Sequence, residues 1–304
     1  MRILLAPLLV LLFVNSADAS SPIRHMLELN GNKLALWEKR AAHPTRAILL
    51  LHGRTWSSLP DFDLQVPGER RSLMDALVAK GYAVYALDQP GYGESPRDKS
   101  GWFTPMMGVE AVEHALRWIT KNSGVVARPV LFGWSNGATI AQLVAQRRPE
   151  LLSDLVLFGY WRDLRVPIEK DQIGKGSLSQ GAAPARKKNT AEAAAEDFIA
   201  PNVISKNVID AYVQAALKSD PIRVDIRDNE QFNELDPKKV NVPTLLIQAA
   251  LDSNSPTEVN AKLFAELATP DRQWVVLPGV DHAAFLEKMD PFVAAMVGFL
   301  ERPQ

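Results

Sequence analysis

The chain has 304 residues, with 34 basic and 35 acidic side chains, a formal net charge of −1, 47% hydrophobic residues and no cysteine. That balance removes any general electrostatic reason to bind nucleic acid, and the missing thiols exclude a disulfide framework or a thioether lipid anchor. An ordinary globular protein is the class that remains.

The N-terminus carries Arg2, an apolar run from Ile3 to Val14, and the small-x-small sequence Ala17-Asp18-Ala19 before Ser20. The run is too short to cross a bilayer and has the flanks of a secretory signal peptide. Residues 1–19 are therefore expected to be removed, leaving a secreted or periplasmic protein without a stable membrane span. About 285 residues remain, room for one large core and an inserted subdomain. Met26–Asn30 and Lys33–Glu38 alternate around Asn30-Gly31, which predicts a hairpin at a sheet edge. Ala47–Leu51 is continuously apolar, as in a strand covered on both faces. The same form recurs in Ala83–Leu87, Val130–Phe132, Leu155–Phe158, Thr244–Ile247 and Trp274–Leu277, with helical patterns over Arg70–Lys80, Pro105–Thr120 and Ala138–Arg147. This alternation predicts an α/β fold, a mostly parallel central sheet flanked by helices.

Between Arg162 and Val240 the alternation stops. Ala191–Ile199 and Val203–Leu217 have helical patterns, whereas Lys170–Lys188 is rich in Gly, Ser, Ala and basic residues. A structureless loop of that length is unusual, so residues 162–240 are expected to form an inserted helical cap on a core made of 20–161 and 241–304. Arg186-Lys187-Lys188 is expected to be solvated surface. Further on, Ser255, Pro256 and Glu258 predict a helix start with a capping box, and Asp290-Pro291 opens a last helix with Phe292, Met296 and Phe299 on one side.

Gly133-Trp134-Ser135-Asn136-Gly137 lies between a predicted strand and a predicted helix, the context of a G-x-S-x-G nucleophile elbow. A serine hydroxyl needs a general base, and there are five histidines. His282 follows the last strand, which places it at the same carboxyl edge of a parallel sheet as Ser135. His52, beside Gly53, is expected to brace a loop instead. Asp252, just beyond the Thr244 strand, is the expected partner of the histidine, with Asp163 as a weaker rival and Asp281 facing elsewhere. Two backbone donors for an oxyanion are expected from Asn136, after the nucleophile, and from Arg54, beside Gly53. Trp134 is the leading candidate among the aromatics to line an acyl pocket.

In this order, His52-Gly53-Arg54, Asp88-Gln89-Pro90-Gly91-Tyr92-Gly93-Glu94-Ser95, Gly133–Gly137, Asp252 and Asp281-His282 resemble the α/β-hydrolase superfamily over about Leu27 to Leu300. The resemblance implies a cap over the nucleophile, an Asp88–Ser95 loop at the edge of the site, and cofactor-free acyl transfer to water from a small-molecule acyl substrate. Members commonly place glycine where this chain has Asp281, and the glycine-rich oxyanion loop of some lipases is absent after Gly53. Serine at the elbow favours attack on a carbonyl, whereas similar dehalogenases and epoxide hydrolases use aspartate there. Carboxylic ester hydrolysis is the leading expectation. The alternatives are an aminopeptidase similar to the proline iminopeptidases, a carbon–carbon bond hydrolase, and a noncatalytic ligand-binding protein. For the aminopeptidase, a cap-borne acidic pair would have to grip a substrate amine; Glu192, Glu196 and Asp197 are equally well explained as solvent-facing charges. His52, His282 and the scattered acids show no metal-site spacing.

Overall fold

In a computed structural model that describes residues 21–170 and 184–303, β1 (Ile23–Leu29) and β2 (Asn32–Arg40) form the expected hairpin. Asn30 and Gly31 turn it with φ of 52° and 79°, the positive pair that suits the twist of two antiparallel strands. Residues 1–19, expected to be a signal peptide, and residues 171–183 of the basic-rich stretch lie outside the described residues.

Strand β3 (Arg46–Leu51) leads into α1 (Ser58–Phe62) and α2 (Leu73–Val78), and β4 (Tyr82–Leu87) into the two-residue β5 (Trp102–Phe103) and α3 (Pro105–Asn122). Next come β6 (Val130–Trp134), α4 (Asn136–Arg147) and β7 (Asp154–Phe158). The insertion follows, with α5 (Ala191–Ala195), α6 (Lys206–Ser219) and the short β8 (Asp225–Ile226). The core then resumes with β9 (Thr244–Ala249), α7 (Thr257–Glu266), β10 (Arg272–Leu277), α8 (Ala284–Glu287) and α9 (Met289–Leu300). The eight-stranded sheet has the order β1-β2-β4-β3-β6-β7-β9-β10, parallel from β4 onward. It is the α/β-hydrolase architecture.

Both faces of the sheet are covered, which explains the uninterrupted apolar strands. On one face α3 buries Val109, Val112, Leu116 and Ile119; on the other α9 buries Phe292, Met296 and Phe299, with Phe292 edge-on to Phe158 at 5.0 Å between ring centres. Each such side chain contributes roughly 1.5–3 kcal/mol through removal from water. The start of α3 is fixed by Thr104, whose hydroxyl accepts the Met107 N–H at 3.2 Å, and by Pro105 in the first turn.

Helix starts differ from the sequence reading in several places, and one is α6, which opens at Lys206 after Ser205 rather than at Val203. Helix α2 begins after Ser72, whose hydroxyl accepts the Asp75 N–H at 2.9 Å, so Arg70 and Arg71 stay outside it. Ser255 caps nothing: it is buried, donates to the Tyr160 carbonyl at 2.8 Å and receives the Asn260 amide at 2.8 Å. Pro256 becomes the residue before the helix, and Glu258 closes no capping box.

The cap is stitched to the core at several points. Tyr212 of α6 donates to Asp61 of α1 at 2.8 Å, and β8 pairs in parallel with β5. Gln231 accepts the Met106 N–H at 2.9 Å, while Gln146 donates to the Glu234 carbonyl and accepts the Asp236 N–H. Arg186, Lys187 and Lys188 are exposed, as expected. Among the described residues no helix is long and apolar enough to cross a membrane.

Candidate active site

The reversal from β6 into α4 forces Ser135 to φ 55°, ψ −119°. A side-chain-bearing residue in such a conformation carries on the order of 1–3 kcal/mol of strain and persists only where its surroundings impose it. Here the Ser135 N–H is fixed on the Phe158 carbonyl at 2.9 Å. The flanking glycines have steric reasons. A Cβ at 133 would fall 2.4 Å from the Gly137 carbonyl oxygen, and one at 137 would fall 2.5 Å from those of Leu51 and His52. Close packing of α4 on β6 and β3 therefore presents Ser135, which is only half-buried.

The loop after β3 abuts this elbow. A Cβ on Gly53 would lie 3.2 Å from that of Ser135, and the next residue, Arg54, has an exposed side chain. Asn136 is the first residue of α4, so its N–H belongs to the first turn, where donors lack helical partners and the dipole is positive.

Asp252 and His282 meet because the loops after β9 and β10 are joined by Ala250 N–H to Leu277 O and Leu251 N–H to Val280 O. His282 Nδ1 lies 2.7 Å from Asp252 Oδ2, and Asp252 Oδ1 accepts the Asn254 N–H at 2.9 Å. The carboxylate favours the proton on Nδ1 and leaves Nε2 as the basic nitrogen. Burial opposes a charged ring, but the hydrogen bond and charge of Asp252, with the charges of Asp197 and Asp281 beyond it, hold the His282 pKa above its ordinary value.

Two further residues shape the slot for this ring. The Trp134 indole donates to the His282 carbonyl at 2.8 Å and its ring lies 5.5 Å from the imidazole. Trp134 is thus a buried brace of the histidine loop rather than a pocket wall, also packed edge-on against Phe285 at 4.9 Å. Through it, the residue preceding Ser135 is tied to the backbone of the His282 loop. Gly159, with φ 63°, sits so close to the ring that a Cβ would fall 3.0 Å from His282 Cε1 and press on it. The only trace of Gly159 in the sequence is a glycine directly after an apolar strand.

His52 is the brace that its position predicts. It is fully buried, Nδ1 bonds the Gly53 carbonyl at 2.8 Å, and Nε2 accepts the Gln89 N–H at 3.1 Å. Burial drives its pKa down to about 4, only partly offset by Gly53, so the ring is neutral. Asp163 is paired with Arg165 at 2.8 Å, and the hydrogen bonds from Arg165 pull its pKa to about 2; it takes no part in holding His282.

The Asp88–Ser95 motif is a bracket. Asp88 accepts N–H groups from Ser58, Glu94 and the Trp37 indole at 2.9–3.0 Å, and Ser95 joins the Asp88 carbonyl to the Ala35 N–H. A Cβ at Gly93 would collide with Asp88 Oδ2 at 2.5 Å.

Glu192 and Glu196 are exposed, but Asp197 is not a solvent-facing charge. Burial raises its pKa to about 6 against the opposing charge of His282, which places this cap carboxylate within electrostatic reach of the histidine. Asp61, unnoticed in the sequence, is fully buried in α1 with Oδ2 unpartnered. Burial, opposed by the Tyr212 hydroxyl and reinforced by Asp197, Asp220 and Asp88, lifts its pKa well above the carboxylate range. Among the described residues no group of three or more His, Asp or Glu could hold a metal ion.

A strained serine elbow, a buried Asp–His pair and a cap over one edge of a parallel sheet define the serine-hydrolase branch of α/β-hydrolase folds. Residues 42–289 match the family described as Serine aminopeptidase, S33, and the chain belongs to that family. Similar solved structures include a thermophilic esterase from Thermogutta terrifontis, at TM-score 0.64 and 20% identity over 92% of this chain and 98% of that one. A serine hydrolase involved in carbazole degradation has TM-score 0.63 and 18% identity, covering 92% and 99%. An epoxide hydrolase from Vigna radiata has TM-score 0.61 and 17% identity, covering 92% and 98%. At such identities the likeness is one of fold. Among curated proteins none matches the chain at a significant level.

Proposed function

We propose that the protein is a serine hydrolase that cleaves carboxylic esters through an acyl-enzyme, with Ser135 as nucleophile, His282 as base and Asp252 as its partner. The observation that carries this reading is the buried Asp252–His282 pair, 2.7 Å long, in a chain that also holds Ser135 in a strained elbow at the end of β6. His282 Nε2 takes the Ser135 proton as Oγ attacks the acyl carbon, and the backbone N–H groups of Asn136 and Arg54 receive the oxyanion. On collapse the imidazolium protonates the leaving alkoxide. Nε2 then deprotonates a water that attacks the acyl-serine, and Ser135 recovers its proton as the acid departs. The substrate is a small acyl compound and no cofactor enters. Residues 1–19 are proposed to direct export, which would place this activity outside the cytoplasm.

Asp197 favours a second reading, an aminoacyl substrate, because a cap carboxylate near His282 is also where a substrate ammonium would find its counter-charge. The family name points the same way.

The test is covalent labelling of the purified protein by a fluorophosphonate, read by intact mass. One label per folded chain is expected, with none on Ser135→Ala or on heat-denatured protein. Folded protein that takes no label would overturn the reading in favour of a ligand-binding role. Comparing kcat/KM on a p-nitrophenyl acyl ester and an aminoacyl p-nitroanilide then decides between the two substrates.

A further inference from the structure

Asp281, which stands where relatives commonly carry glycine, is fully buried beside His282. Its carboxylate joins two parts of the molecule, and its backbone joins a third. Oδ2 accepts the N–H of Ala200, in the cap between α5 and α6, and Oδ1 accepts the Ala283 N–H at 3.2 Å. Its own N–H donates to Glu287 Oε2 at 2.8 Å, and its carbonyl accepts the Ala284 N–H at 3.1 Å. Glu287 is anchored in turn, because Arg71 donates to the carbonyls of Leu286 and Glu287. The residues on both sides of His282 are therefore pinned by one carboxylate, and the same carboxylate grips the cap backbone. A glycine here would leave the half-buried Ala200 donor and the buried Ala283 donor without this acceptor, which costs free energy wherever water cannot replace it.

We propose that Asp281 is a positioning residue that ties the cap to the histidine loop, so that docking of the cap and placement of His282 are one event. The effect on rate rests on the serine-hydrolase reading; the tie itself does not. Asp281 faces Glu287 from α8, the Ala200 backbone from the cap, and His282, on which Asp252 and Asp197 also act.

The experiment compares wild type, Asp281→Gly, Asp281→Asn and Ala200→Pro, which removes the cap donor while keeping the Asp281 carboxylate. Amide hydrogen exchange reports the peptide spanning Ala200, and kcat is normalised to the fraction of sites labelled by fluorophosphonate, so that misfolded protein does not count. In Asp281→Gly, exchange at Ala200 is expected to rise about tenfold and kcat on a short p-nitrophenyl ester to fall about tenfold, with KM changed less than about threefold. Asp281→Asn keeps one acceptor oxygen and is expected to fall between. Ala200→Pro is expected to reproduce most of the loss in kcat. Unchanged exchange in Asp281→Gly would show that no tie exists, and full kcat per labelled site in Ala200→Pro would show that the tie does not place His282. Were wild type itself to take no label, the hydrolase reading would fall while the exchange data still judged the tie.

Discussion

The loops of His52 and His282 leave the same edge of one sheet, and both rings are buried, yet their chemistry is opposite. His52 meets a carbonyl and a backbone N–H, and burial drives its pKa to about 4. His282 is opposed by desolvation too, but the hydrogen bond and charge of Asp252, together with the charges of Asp197 and Asp281, outweigh it and leave the ring able to accept a proton. Burial alone makes a histidine inert; burial with a paired carboxylate makes it a base. The difference lies in one partner, and it can be broken from either side.

The largest effect is expected for His282→Ala, a fall in kcat of about 10⁴-fold with unchanged circular dichroism. His52→Ala should instead keep kcat within about tenfold while losing about 1–3 kcal/mol of stability in urea, because the Gln89 N–H is left without its acceptor. Equal losses of activity in the two variants would erase the distinction.

The two rings also predict opposite slopes of stability with pH. His52 has a folded pKa below its ordinary value of 6.5, so the unfolded chain binds the proton first and stability drops as pH falls from 6.5 toward 4. The drop is about 3 kcal/mol and should appear as the difference between wild type and His52→Gln in urea titrations across that window. His282, raised above 6.5, contributes stability that is present below that value and fades as pH climbs through the folded one. For activity the same shift puts the acid limb of kcat/KM above 6.5, and Asp252→Asn should move it down. A limb unmoved by that substitution would separate the pH dependence from this pair.

A smaller effect sharpens the geometry. Gly159→Ala sets a methyl 3.0 Å from His282 Cε1 on a backbone with φ 63°, and kcat should fall about 10²-fold from displacement of the ring. Tm should move by only a few degrees. Full activity would mean that the slot around His282 yields more easily than its packing indicates.

The sheet, the elbow and the Asp252–His282 meeting were legible because each residue sits at the end of an apolar strand, and parallel strands deliver their ends to one edge. Ser255 misled because its hydroxyl had a tertiary partner, the Tyr160 carbonyl, that outcompeted the local cap. Asp197 was not legible for a different reason. Helix α5 spans only Ala191–Ala195, too short for periodicity to say which way the chain beyond it faces. Asp61 and Gly159 act through neighbours distant in sequence, Tyr212 and His282, and no local pattern announces such contacts.

The joining of the loops after β9 and β10 has a consequence for biogenesis. Asp252 and His282 meet only once β10 has paired with β9, so a chain still emerging from the ribosome, or cut before residue 282, carries the elbow without the histidine proposed as its base. The hydroxyl of such a chain is an ordinary alcohol. On the proposed mechanism, reactivity arrives with the final strand, as a by-product of completed folding.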